Sequence, residues 1–173
     1  MAPQTRQSGG FAQVIIVMGV EGSGKTTIGL ELAKAIDCEF RDADDFHSTQ
    51  AKAKMAAGVA LTDADRRPWL DALRALIADY LRTGRRLVLA CSALKASYRD
   101  ALTVDPAAVV FVYLRGDIEL IRERLRKRPG HFAGPALLAS QFETLEEPSN
   151  AVIADIADTP EQIVASIRSA LRM

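Results

Sequence analysis

An α/β fold, a parallel sheet covered by helices on both faces, is predicted by three observations. Apolar runs of strand length alternate with helical patterns. The first run ends in a glycine-rich turn that opens directly into a helix. No internal repeat or linker divides the 173 residues, so a single domain over residues 11–173 is expected, behind a polar tail at 1–10. Continuous apolar runs mark strands buried on both faces, and their alternation with helices gives a parallel sheet. Five strands joined by right-handed crossovers follow.

The first strand is Val14-Ile-Ile-Val-Met18, and it runs into Gly19-Val-Glu-Gly-Ser-Gly-Lys-Thr26. That turn fits G-x-x-x-x-G-K-[ST], the phosphate-binding P-loop. Four constrained positions make a chance match in a chain of this length roughly a one-per-cent event. The three glycines let backbone N–H groups turn inward without Cβ clashes. Those groups and the positive end of the following helix suit phosphate oxygens. Lys25 adds a mobile charge for the β- and γ-phosphates, and the Thr26 hydroxyl is placed to ligate Mg²⁺. Nucleotide contacts are therefore expected from Gly19, Val20, Glu21, Gly22, Ser23, Gly24, Lys25, Thr26 and Thr27. ATP and Mg²⁺ are the expected cofactors.

Ile28, Leu32 and Ala35/Ile36 recur at helical spacing, so the first helix runs to about Ile36. Cys38–Arg41 reads as a short second strand ending in the acidic loop Asp42-Ala-Asp-Asp-Phe-His47. Carboxylates there share the sheet edge of the P-loop, where open α/β sheets bind ligands. Ser48–Gly58 reads as a helix stopped by Gly58, and Thr62–Asp65 as a capping box. From Trp69 to Leu81 apolar residues keep a strong amphipathic period, ending at Thr83-Gly84. Trp69 lies on that stripe and is expected in the core. Leu87–Cys91, Val109–Leu114 and Val152–Ile156 read as the remaining strands. A short helix carries Tyr98 and Arg99, Asp117 caps another, and Thr159-Pro-Glu-Gln162 opens the last.

Composition narrows the function classes. Lysine plus arginine equals aspartate plus glutamate, 22 each, so no global field recruits nucleic acid or an anionic membrane. Cys38 and Cys91 lie far apart without metal-ligand spacing and read as free buried thiols. Apolar runs are strand-sized and no signal peptide is visible, which gives the expectation of a cytoplasmic protein.

Four further stretches carry a family resemblance. They are Asp42–His47 with Lys54-Met55 and Gly58; Leu61-Thr-Asp-Ala-Asp-Arg-Arg-Pro-Trp-Leu70; Cys91-Ser-Ala-Leu-Lys95 with Tyr98-Arg-Asp100; and Gly130-His-Phe132 followed by Gln141-Phe-Glu-Thr-Leu-Glu-Glu-Pro148. From Val14 to the C-terminus the chain resembles gluconokinases, the P-loop gluconate kinases related to shikimate and nucleoside monophosphate kinases. The resemblance implies a three-layer P-loop kinase fold with sheet order 2-3-1-4-5 and a mobile lid, about residues 124–147. It implies ATP-dependent phosphorylation of D-gluconate to 6-phosphogluconate, usually by a homodimer. The sequence departs from the family pattern at Ser48, Ala51, Glu21 and Pro129. Ser48 and Ala51 leave open a related kinase for another sugar acid or polyol. Glu21 leaves open a nucleotide-binding regulatory module with weak catalysis.

By likeness to the Asp-x-Asp of shikimate kinases, Asp42 orients Mg²⁺ with Thr26, and Asp44 contacts the accepting hydroxyl, acting as its base. Solvated acidic turns or helix caps are the bland alternative. Arg124 and Arg128 match family positions for clamping the γ-phosphate, within a basic run that would otherwise be a solvated helix end. Gluconate carries a carboxylate and five hydroxyls, so its pocket needs a cation and several donors. His47, Lys54, Arg66, Lys95, Arg99 and His131 are the candidates from the matching motifs, with Asp44.

Overall fold

The computed structural model describes residues 12–127 and 135–173. The tail at 1–10, the centre of the expected lid, and the candidates Arg128 and His131 lie outside the described residues. In chain order the elements are β1 (Val14–Met18), α1 (Lys25–Ala35), β2 (Glu39–Asp42), a 3-10 turn (Ala43–Phe46), α2 (Thr49–Ala56) and α3 (Asp63–Thr83). There follow β3 (Leu87–Ala90), α4 (Ala96–Leu102), β4 (Val109–Arg115), α5 (Ile118–Arg126), α6 (Pro135–Thr144), β5 (Val152–Asp155) and α7 (Pro160–Ala170). Five parallel strands lie in the order β2-β3-β1-β4-β5, as the resemblance implies.

The strand period of two divides β1 between two cores. Ile15 and Val17 face a cluster with Ile28, Leu32, Ile163 and Ile167, from α1 and α7. Val14, Ile16 and Met18 face the opposite cluster, which holds Trp69, Leu73, Ile77 and Tyr80 of α3 and Leu102 of α4. Every residue of β1 and β3 is buried, whereas the edge strand β2 alternates exposed and half-buried. That contrast explains why β2 lies one residue later than its weak pattern suggested.

Helix starts follow the expected chemistry. Thr62 and Asp65 form a capping box on α3, and Thr159 and Gln162 one on α7, with Pro160 in its first turn. Asp117 caps α5, and Ser48 caps α2 by accepting from the Ala51 N–H. Helix α3 runs unbroken through Pro68. Helix α6 is an addition to the sequence reading, which assigned its residues to the lid without a helix. No helix among the described residues is long and apolar enough to cross a membrane.

Candidate active site

The parallel order brings the C-terminal ends of β1, β2 and β3 to one edge, and the site grows from there. At the end of β1 the chain turns through Gly22, whose φ of +77° favours glycine, and a Cβ there would also press into Leu125 at 2.9 Å. Gly24, at φ +97°, is the N-cap of α1 and supplies no side-chain oxygen. Nor does α1 carry an acidic residue in its first turn. The contrast with its neighbours is informative. Helices α2, α3, α5 and α7 have side-chain caps, and the first N–H of α4, that of Ala96, donates to the Glu146 carboxylate at 2.7 Å. The start of α1 alone among these leaves its N–H groups for an external anion.

Lys25 donates from Nζ to the Val20 carbonyl at 3.0 Å. Burial lowers its pKa, while the nearby carboxylates of Asp44, Glu21 and Asp42 oppose the loss of its proton. Glu21 thus sits close enough to help keep the ammonium charged. Cys91, fully buried behind the loop, is pushed up to about 12 by desolvation and stays a thiol. Cys38 is only half-buried, a departure from the expected pair of buried thiols.

The end of β2 meets the P-loop directly. Thr26 Oγ1 donates to Asp42 Oδ2 at 3.1 Å, and Asp42 Oδ1 accepts from the Asp44 N–H at 3.0 Å. One carboxylate therefore both faces Thr26 and starts the 3-10 turn that carries Asp44. The pKa of Asp44 is raised by burial and by Asp42, against the pull of Lys25 and His47. A carboxyl shifted this way is a stronger base than an ordinary surface aspartate.

The hydroxyl and carboxylate of Thr26 and Asp42 form an all-oxygen pair of the kind a hard divalent cation accepts. Among the described residues no group of three or more His, Cys, Asp or Glu side chains surrounds a metal position. The pair fits Mg²⁺, which keeps several waters and relies on phosphates rather than a protein cage.

Beyond the 3-10 turn, the His47 ring stacks on Trp69 with centroids 4.6 Å apart and planes 8° from parallel. The indole N–H of Trp69 donates to the Ala43 carbonyl at 2.7 Å. Trp69 is thus a core residue, as expected, and also the platform that sets His47. The Nδ1 of His47 is enclosed and meets no hydrogen-bond partner among the described residues. Burial lowers the His47 pKa, which Asp44 opposes and Arg66 and Lys52 reinforce.

The remaining candidates gather where α2, α3 and α4 meet. Lys95 Nζ donates to Asp63 at 3.0 Å, and the Tyr98 hydroxyl donates to the same carboxylate. Arg66 donates to the Leu61 carbonyl at 2.7 Å and lies 3.9 Å from Asp63. Lys54 pairs with Asp65 at 2.7 Å. Asp63 and Tyr98 were not among the candidates. The spacing of Asp63 and Arg66, three apart on α3, was the available signal for the first.

Arg99 is buried and spends its donors on backbone, reaching Ala93 at 2.9 Å, Leu94 at 3.1 Å and Glu146 at 2.8 Å. Ala93 holds φ +44°, which costs a non-glycine residue about 1–2 kcal/mol. The structure therefore uses Arg99 to fasten a strained loop. Arg124 lines a cleft of about 320 Å³ with Gly22, Ser23, Gly24, Thr27 and Asp158, and its guanidinium donates to the Ile156 carbonyl. The departures Ser48 and Ala51 have local explanations, since Ser48 caps α2 and Ala51 is 4% exposed.

The shikimate kinase family model matches residues 21–172. A probable gluconokinase of Mus musculus is 41% identical, covering 92% of this chain and 97% of its own. A gluconokinase of Arabidopsis thaliana is 43% identical over 90% of each chain. The chain belongs to the gluconokinase family. The crystal structure of a gluconokinase from Sinorhizobium meliloti superposes with TM-score 0.83 at 39% identity, covering 95% of this chain and 94% of that one. Membership in the gluconokinase family makes the chain a phosphotransferase.

Proposed function

We propose that the chain transfers the γ-phosphate of ATP to D-gluconate, forming 6-phospho-D-gluconate. The observation that carries this reading is the meeting of the uncapped α1 N-terminus with Asp42 and Asp44. Phosphoryl transfer asks mainly for positioning and charge neutralisation. The P-loop backbone from Gly19 to Thr27 would hold the phosphates, Lys25 their charge, and Thr26 with Asp42 a Mg²⁺ ion. That ion, when bound, would neutralise charge on the phosphate oxygens.

Asp44 is the proposed base for the accepting hydroxyl, supported by its raised pKa. His47 Nδ1, enclosed without a partner among the described residues, offers a hydrogen-bonding position to a hydroxylated acceptor. Lys95, Arg66 and Lys54 would supply the positive charge for the substrate carboxylate. The assignments of Arg124 and Arg128 to the γ-phosphate and of His131 to the substrate belong to the same proposal, whereas the hydrogen bonds of Arg99 to three backbone carbonyls speak for a structural role. The expected lid over residues 124–147 is proposed only for the part before Gln141, because Gln141–Glu147 is tied to the P-loop, Leu94, Ala96 and Tyr113. A homodimer, through the family resemblance, and a cytoplasmic setting, from the strand-sized apolar runs, complete it.

Coupled ADP release across D-gluconate, other sugar acids, polyols, shikimate and nucleoside monophosphates tests the reading. Turnover highest with D-gluconate is expected. Release with another acid or polyol instead would move the acceptor, and no release with any tested acceptor would support a nucleotide-binding module.

A further inference from the structure

We infer that Gln141 is a positioning residue for Lys25, acting through the single peptide unit that joins Val20 to Glu21. The Glu21 N–H donates to Gln141 Oε1 at 2.6 Å. The other end of the same peptide, the Val20 carbonyl, accepts from Lys25 Nζ at 3.0 Å and from the Ser23 N–H at 3.2 Å. A peptide unit is rigid and planar, so its N–H and C=O cannot turn independently. Fixing the N–H fixes the direction of the carbonyl that holds the ammonium. Hydrogen bonds in series across one amide also strengthen each other.

Gln141 is itself firmly held. Leu138, one turn earlier on α6, is 1% exposed and packs in the cluster with Val20 and Ile121. Leu145, one turn later, packs against both cores and donates its N–H to the Gln141 carbonyl at 2.9 Å. Residues three and four apart share a helix face, so these anchors set the side of α6 that faces the P-loop. Just beyond, Glu146 accepts from the Ala96 N–H, and its own N–H donates to the Leu94 carbonyl at 2.9 Å. Glu147 accepts from the Tyr113 hydroxyl at 3.1 Å. The stretch from Gln141 to Glu147 is therefore pinned at three places.

The inference rests on the reading of Lys25 as a phosphate-binding residue. Its test is a double-mutant cycle on the full chain, with ATP affinity measured by calorimetry in the absence of any acceptor and folding checked by Tm. Gln141→Ala is expected to weaken ATP binding by roughly threefold to tenfold, the loss of one well-made hydrogen bond. Gln141→Glu, which keeps an acceptor oxygen, recovers more than half of that loss. In the Lys25→Ala background, Gln141→Ala changes ATP affinity by less than about twofold, because the residue it positions is gone. Equal effects in both backgrounds would make Gln141 merely structural and overturn the inference. So would unchanged affinity on Gln141→Ala beside a weakened Lys25→Ala. If Lys25→Ala also binds ATP as wild type does, the P-loop reading falls and the inference with it.

Discussion

The proposed donor and acceptor sides of the site are built on opposite plans. Around the P-loop the binding groups are backbone N–H donors, and the protein leaves the α1 N-terminus without a side-chain cap. On the acceptor side the groups are long side chains, and three of the cations already have an internal carboxylate: Lys95 and Arg66 share Asp63, and Lys54 has Asp65. A phosphate that is the same in every turnover suits a fixed backbone cradle. An acceptor that must be told apart from its relatives suits side chains, and their pairing keeps several positive charges from repelling one another beforehand. On the proposed reading, Lys25 and Asp44 govern rate, and Lys95, Arg66 and Lys54 govern choice.

The largest effect expected from this contrast is on the donor side. Lys25→Ala lowers kcat by about 10²–10³-fold, the usual loss when one preorganised charge-stabilising group is removed. Its Tm stays near wild type, since Lys25 holds the Val20 carbonyl through a single hydrogen bond among the described residues and its desolvated charge adds no stability. Steady-state kinetics and thermal unfolding on the same sample check both halves. Asp44→Asn comes next, with kcat down by about 10²-fold as for a lost general base, and ATP affinity changed little. Collapse of ATP affinity would transfer Asp44 to the metal site.

On the acceptor side, Lys95→Ala raises KM for gluconate by about tenfold while KM for ATP holds, because a charge-assisted contact is lost from binding alone. Equal changes in both constants would dissolve the division between the two sides. Arg99→Ala acts differently, by leaving three carbonyls and the strained Ala93 without their clasp. It lowers stability by about 2 kcal/mol in urea unfolding. A pure KM effect at unchanged stability would restore Arg99 to substrate binding.

The smallest effect is one of pH. Lys54 and the backbone and side chain of Thr62 hold Asp65 down to about 2. A carboxyl depressed in the folded state stabilises above its unfolded pKa and loses that contribution as pH falls through the folded value. Tm should therefore drop between about pH 4 and pH 2, and less so in Asp65→Asn.

Much of this was legible in the chain, and the misses share a cause. Strands β1, β3 and β4 are nearly unbroken apolar runs, because both faces of the sheet are covered. The P-loop showed itself because its chemistry is carried by consecutive residues. Asp63 looked like an ordinary acidic residue at a helix start, since its partners Lys95 and Tyr98 lie 32 and 35 residues away. Gln141 stood in a recognisable motif, yet its contact is 120 residues distant. Helix α6 was concealed by Gly134-Pro135 at its start and by Leu137, 45% exposed, which blurs its apolar stripe. Arg99 carried the charge of a substrate ligand, and only the folded loop reveals the carbonyls that it holds.

The central claim is that a phosphoryl group leaves ATP for a hydroxyl of gluconate beside Asp44. Phosphorus NMR of a reaction of the purified chain with ATP, Mg²⁺ and D-gluconate tests it most directly. The account predicts a phosphomonoester on the 6-hydroxyl, formed in equal amount with ADP and almost absent with Asp44→Asn. Inorganic phosphate as the only phosphorus product besides ADP would contradict it.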